Sequence, residues 1–95
     1  MNVKTSIVLE LPSMLARYAK GQSTLELDGN SIKAVLDDLR FNFPELAARL
    51  TNEVGELFPY LEIFVNEQRL SKEQLEDHVL ADGDRLELVT LASGG

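Results

Sequence analysis

The sequence predicts an α+β domain in which a mixed β-sheet packs against one main helix. Residues 5–11 and 85–91 both alternate apolar and polar side chains with the period of a half-buried strand. Between these two segments, four apolar residues recur with the spacing of a single helical stripe: Ile32, Val35, Leu36 and Leu39. Because a helix with one apolar stripe needs one sheet face to cover it, two layers are the simplest arrangement that buries all three patterns.

Length and composition limit the chain to one ordinary folded domain. A chain of 95 residues buries on the order of 60–65% of its unfolded surface, which is enough for one modest core. A two-domain enzyme with an interdomain cleft is therefore not expected. The composition, 44% hydrophobic and 26% charged residues, lies in the globular range, where enough apolar surface is available to offset chain entropy.

Charge and cysteine content restrict the partners and the chemistry. Sixteen acidic against nine basic residues give a net charge of −7, which repels phosphate backbones and anionic lipids. We therefore expect no nucleic acid and no membrane partner, and favour a protein with a basic docking face. The absence of cysteine removes disulfides, thiolate nucleophiles and thiolate metal sites. With no signal-like start and no apolar run of about 20 residues, the expected location is the cytoplasm.

The first part of the chain predicts a hairpin with a long connection. Its first strand ends at Pro12, and residues 13–20 carry a weak helical-turn pattern that stops at Gly21. Alternation returns in residues 23–27, with two leucines on one face, and Asp28-Gly29 then forms a turn. These segments therefore predict two antiparallel strands with a helical turn between them.

The main helix follows this hairpin and has defined ends. Either residue of Asn30-Ser31 is suited to accept the free backbone N–H groups of its first turn. Phe43-Pro44 ends the helix, because proline disfavours helical geometry in the residue before it. Residues 46–50 predict one or two further helical turns, and residues 51–58 a loop.

The last third predicts three strands and a short helix. Residues 60–65 are rich in strand-forming side chains and turn into a short returning strand at 68–70. Ser71 and Gln74 fit a capping box, which predicts a helix carrying Leu75 and Val79. After a turn at 82–84, the final strand places Leu86, Leu88 and Thr90 on one face. This order of elements is that of the β-grasp architecture.

In the order and spacing of these predicted strands and helices, the chain resembles the ThiS/MoaD family of ubiquitin-like sulfur carrier proteins over essentially its whole length. Its length favours the MoaD-like branch. The segments that carry the resemblance are Asn30-Ser31-Ile32-Lys33-Ala34-Val35-Leu36-Asp37-Asp38-Leu39, Phe43-Pro44-Glu45-Leu46, Ile63-Phe64-Val65-Asn66-Glu67, Leu80-Ala81-Asp82-Gly83-Asp84 and Gly94-Gly95.

The resemblance implies that this chain is not an enzyme and that the carboxylate of Gly95 is its working group. In the family, an activating enzyme adenylates this carboxylate with ATP, and the product becomes a thiocarboxylate that donates sulfur to a synthase. The chain itself then needs no cofactor. The destination of the sulfur (molybdopterin, cysteine, thiamin or a related metabolite) stays open. We expect a β-grasp domain over residues 1–91 and a flexible tail over residues 92–95.

A diglycine suits this chemistry. A carboxylate is a poor acyl donor, and joining it to AMP supplies a good leaving group that sulfide or a persulfide displaces. A partner must exclude water from the acyl-adenylate, so the tail enters a narrow channel in which Gly94 fits and a side chain does not. Fully extended, the four residues after Leu91 span roughly 13 Å, which reaches into another protein.

The remaining candidate residues receive simpler interpretations. Phe64 and Leu91 are candidates for a docking patch on the sheet face that the helix leaves open, while core packing is the alternative for apolar residues in this part of the chain. Asp82 and Asp84 are interpreted as turn residues, because no further hard ligands complete a metal site. His78 lacks a cysteine or serine partner at a motif spacing and is interpreted as a surface or helix-end residue.

Two other functions remain open. The same activated glycine, captured by a lysine amine, makes the chain a ubiquitin-like protein modifier conjugated through Gly95. An inert tail makes it a β-grasp interaction module without activation.

Overall fold

The computed structural model describes residues 5–91. Its elements are strand β1 (Ser6–Glu10), a 3-10 helix (Ser13–Ala19), β2 (Thr24–Asp28), helix α1 (Ile32–Asn42), α2 (Pro44–Leu50), β3 (Leu61–Val65), β4 (Gln68–Arg69), α3 (Lys72–Asp77) and β5 (Arg85–Thr90). This is the predicted order. The α+β prediction is confirmed, and the architecture is a β-grasp.

The five strands form one mixed sheet in the order β2-β1-β5-β3-β4. The first and last strands lie side by side and parallel at its centre, with Leu9 opposite Leu86. All other neighbouring strands are antiparallel. The end of the described chain therefore leaves the sheet from a central strand.

Alternation divides the sheet into a covered face and an open face. The covered face carries nine buried apolar residues, which pack into one core with α1: Ile7, Leu9, Leu25, Leu27, Leu61, Ile63, Val65, Leu86 and Leu88. The predicted stripe of α1 is the other half of this core, and its four residues are at most 9% exposed. The intervening residues of each strand, among them Val8, Glu62, Phe64, Glu87 and Val89, form the open face.

The ends of α1 follow from local chemistry. The Ser31 hydroxyl accepts a hydrogen bond from the Ala34 N–H at 3.1 Å, so serine is the N-cap. Phe43 leaves the helical region at φ −136° and ψ 68°, and Pro44 then begins α2. Gly29, just before the helix, has φ +155°, and a Cβ there would lie 2.8 Å from the Val35 nitrogen. The turn into α1 therefore requires glycine.

The prediction for Val79 is wrong. The capping box at Ser71 and Gln74 is present, but α3 ends at Asp77. Val79 then forms an isolated bridge with Ser31, and the Leu80 N–H donates to the Asn30 carbonyl at 2.9 Å. This pairing with the start of α1 leaves Val79 76% exposed and buries Leu80 instead.

Candidate functional site

The candidate site combines the open face with the point at which the chain leaves β5. Gly94 and Gly95 lie outside the described residues, so their roles stay predictions. The last described residue, Leu91, donates its N–H to the Tyr60 carbonyl at 2.7 Å. The side chain of Tyr60 donates from its hydroxyl to the Arg49 carbonyl at 3.2 Å and stacks on Phe58, with ring centroids 5.5 Å apart. The start of the tail is therefore anchored to α2 through one tyrosine.

Phe64 lies on the open face, near the end of β3. Its neighbours on β3, Ile63 and Val65, point into the core, so the phenylalanine side chain is on the opposite face and half-buried. It lies opposite Glu87 of β5 and Arg69 of β4. A large aromatic ring in this position offers an anchor for another protein.

Leu91 does not lie beside Phe64. The register pairs Phe64 with Glu87, and Leu91 follows Glu87 by four residues, which is roughly 13 Å along a strand. The pair formed by Glu62 and Val89 lies between them. Leu91 is 48% exposed. The two predicted residues therefore mark opposite ends of the β3-β5 pair, and Val89 connects them.

Carboxylates dominate the open face. Glu62 forms an ion pair with Arg69, and Glu10 lies 3.1 Å from Arg85. Within residues 5–91, Glu26 and Glu87 have no cation within 4 Å. Glu87 lies between Glu10 and Phe64 in the register, so the aromatic ring has a carboxylate beside it. Such a face is complementary to an apolar partner surface with basic residues around it.

A recess of about 410 Å³ lies where β1 ends and β5 approaches the tail. It is lined by residues that include Glu10, Glu87, Val89 and Thr90. Thr90 directly precedes Leu91, so the recess borders the last described residues of the chain.

The turn before β5 is held by hydrogen bonds. Asp82 accepts from the Ser6 N–H at 2.8 Å. Asp84 accepts from the Ala81 N–H at 2.8 Å and from the Asn66 side chain at 3.0 Å. These two bonds, first the backbone one and then the amide, lower the pKa of Asp84. Both aspartates therefore act as turn residues, as predicted.

Residues 5–91 show no arrangement for histidine-based catalysis or metal binding. His78 is the C-cap residue of α3, as predicted for a helix-end residue. Across residues 5–91, no group of three or more acidic or histidine side chains is arranged to hold a metal ion. No helix in the same range has the length and apolar character needed to cross a bilayer.

Two features of the site were not predicted from the sequence: Val89 and the contact between the end of β5 and α2. Val89 was not singled out, although the alternation of Leu86 and Leu88 already places it on the open face. The link from Leu91 through Tyr60 to Arg49 was also missed, since it joins three distant segments and leaves no local pattern.

Comparison with known proteins places this geometry in a family. Residues 11–95 match the ThiS family. The sulfur carrier protein CysO of Mycobacterium tuberculosis is 29% identical over 97 residues, covering the whole of both chains.

Solved structures agree with this match. A chain of the Amycolatopsis orientalis BexX/CysO complex is 25% identical with a TM-score of 0.80, covering 94% of this chain and 99% of that one. SAMP1 from Haloferax volcanii, a small archaeal modifier protein, is 30% identical with a TM-score of 0.75 over 95% of this chain and 99% of that one. The resemblance stated from the sequence is thereby confirmed: this chain belongs to the ThiS family.

Proposed function

We propose that this chain is a sulfur carrier that holds sulfur as a thiocarboxylate on Gly95. The observation that supports the proposal most strongly is the family match, which runs through Gly95 itself. The end-to-end similarity to the sulfur carrier protein CysO supports it further. The exit of the chain from a central strand, next to an open apolar and acidic face, suits a tail that enters another protein.

Loading of the carrier has two steps at the Gly95 carboxyl group. A Gly95 carboxylate oxygen attacks the α-phosphorus of ATP, which releases pyrophosphate and leaves an acyl-adenylate. Sulfide then attacks the acyl carbon, AMP leaves with the oxygen, and the thiocarboxylate forms directly. A persulfide donor instead forms an acyl disulfide as AMP leaves, and a thiol must then attack the donor-side sulfur, so that the thiocarboxylate leaves and the donor is left as a disulfide. We assign ATP binding and catalysis to the partner, so this chain is not an enzyme and needs no cofactor. The cytoplasm, where ATP is available, is the proposed location.

Two partners follow from this cycle, an adenylating enzyme and a sulfur-accepting synthase. The BexX/CysO complex supports the idea that a carrier of this fold binds a second protein. We assign docking to the open face, with Phe64 as the central anchor and Leu91 at the start of the tail. Glu26 and Glu87, which have no cation within 4 Å among residues 5–91, fit a partner with basic residues around its apolar surface.

The adenylation step is tested by ATP-pyrophosphate exchange with the activating enzyme. The intact chain supports exchange, and the chain without Gly95 does not, while its melting temperature stays unchanged because the last described strand ends at Thr90. Exchange at the full rate without Gly95 contradicts the proposal.

Gly94→Val tests whether the activating enzyme encloses the tail in a narrow channel. The variant keeps the terminal carboxylate but adds a β-branched side chain, so we expect exchange to fall steeply while docking weakens much less. Full exchange activity in this variant would show that no narrow channel encloses Gly94.

A protein modifier is the second candidate, because SAMP1 is as similar in sequence as any relative described above. In that case a lysine amine, rather than sulfide, attacks the acyl-adenylate. Covalent adducts between Gly95 and lysine side chains in cell extracts, found by mass spectrometry of digested proteins, would favour the modifier over the carrier.

A further inference from the structure

Three cations gather around two aromatic rings on the helical side of the molecule. The guanidinium carbon of Arg49, on α2, lies 4.5 Å from the ring centroid of Tyr18, and that of Arg17 lies 5.6 Å from it. The Lys20 ammonium lies 5.8 Å from the ring centroid of Phe43. These five residues are called the Tyr18 patch below. Arg17 lies in the 3-10 helix, Lys20 is the C-cap residue of that helix, and Arg49 lies in α2.

The cations of the Tyr18 patch lack the carboxylate partners found elsewhere. Of the eight Lys and Arg residues in the described range, four lie within 4 Å of a carboxylate. Arg17, Lys20 and Arg49 have no such contact with any described residue, although Glu45 precedes Arg49 by one turn of α2. All three are exposed. In a chain of net charge −7, this is a local reversal of sign.

The rings orient the cations without neutralising them. A cation over an aromatic face is attracted by the ring quadrupole, yet it keeps its full charge and its N–H donors at the edge. Tyr18 is half-buried and packs on the core, so the ring is a fixed support. The patch therefore presents pre-positioned donors to solvent.

The Tyr18 patch also lies near the exit of the tail. Tyr60 bonds the Arg49 carbonyl through its hydroxyl and the Leu91 N–H through its own carbonyl. One residue therefore links the patch to the last described residue.

We propose that the Tyr18 patch is a docking surface for an acidic segment of a protein partner. Guanidinium groups match carboxylates with two parallel hydrogen bonds. The three charges are spread over two rings, which suits several separate carboxylates better than one phosphate. This surface is distinct from the open face, and its binding does not require an activated Gly95.

The test is a titration of the isotope-labelled chain with octaglutamate at low salt, followed by NMR. We expect saturable shifts at Arg17, Tyr18, Phe43 and Arg49 that disappear at high salt. The double variant Arg17→Glu/Arg49→Glu should weaken binding about tenfold or more. Its matched control, Lys33→Glu/Lys72→Glu, makes the same change in net charge at two other exposed cations and should weaken binding less than about twofold. Dispersed amide spectra confirm that both variants are folded.

Three results would overturn the proposal. The first is the absence of saturable shifts at the patch. The second is an equal loss of binding in the two double variants, which indicates net charge rather than a site. The third is binding of AMP or of octathymidylate at the patch as tightly as octaglutamate, which indicates a phosphate or nucleic-acid site. The titration reads the folded surface, so its result is independent of whether Gly95 carries sulfur.

Discussion

The two faces of the sheet are formed by the same strands but differ in composition and burial. Nine apolar residues of the covered face pack on the helices, and each of them is at most 7% exposed. The open face alternates with them residue by residue, yet it carries an aromatic ring, two valines and several carboxylates that stay accessible. If docking uses the open face, as proposed, a shift of one residue along each strand separates the side chains that stabilise the fold from those that bind a partner.

This separation suits the proposed carrier function, because a surface that contributes little to folding is free to match a partner.

Leu86→Ala should destabilise the fold strongly. Leu86 is 1% exposed, and truncating a buried leucine typically lowers the free energy of unfolding by about 2–5 kcal/mol, through lost burial and a residual cavity. Its control is Phe64→Ala on the open face, which should lower the free energy of unfolding by less than half as much. Urea unfolding measures both. Equal losses would mean that the open face is as much a part of the core as the covered one.

Gly29→Ala tests how closely α1 approaches the rim of the sheet. A Cβ at this position lies 2.8 Å from the Val35 nitrogen and 3.0 Å from the Ala34 carbonyl carbon, so the helix backbone has to move. We expect a loss of about 2–3 kcal/mol in the free energy of unfolding. Gly83→Ala is the control, because its φ is +87° but no atom lies within 4 Å; it should lose about 1 kcal/mol. A reversed order would contradict the close approach.

Phe64→Ala should weaken docking to the activating enzyme about tenfold, since a central aromatic anchor contributes more than the contacts around it. Calorimetry measures the dissociation constant. Val79→Ala removes a more exposed apolar side chain, 76% exposed, two residues beyond the end of α3, and should have almost no effect. If Val79→Ala weakens binding as much as Phe64→Ala, the docking surface is not the open face.

The pH dependence of Asp84 is the smallest effect. Its folded-state pKa lies below its ordinary value of 3.8 because Ala81 and Asn66 donate hydrogen bonds to the carboxylate. The resulting stability is therefore fully present above about pH 4 and is lost as the pH falls through the folded-state pKa. As the pH falls through this acidic range, the free energy of unfolding should decrease less in Asp84→Asn than in the wild type. Urea unfolding at several pH values measures this decrease. Parallel curves for the two proteins would show that the turn does not favour the ionised form.

Periodicity predicted the parts of this fold that repeat. The stripe of α1 and the alternation of β1 and β5 are regular over several residues, and each was found where the pattern placed it. Val79 was misplaced because the pairing of its segment with Ser31, a residue 48 positions earlier, overrides the helical period.

Contacts between distant segments were not predictable in this way. Alternation places Phe64 on the open face, but its separation from Leu91 follows from the strand register. Arg49 and Tyr18 meet because α2 packs against the 3-10 helix, and no spacing in the sequence announces that contact. Gly94 and Gly95 were identified by resemblance, and the described residues end before them.

The most direct test of the central claim is the intact mass of the chain after incubation with its activating enzyme, ATP and a sulfur donor. If Gly95 carries sulfur, the mass increases by the difference between one sulfur and one oxygen atom. Fragmentation places this increase at Gly95, and the chain that lacks Gly95 shows no increase. An unchanged mass, with an activating enzyme that thiocarboxylates another carrier in the same assay, would contradict the sulfur-carrier function.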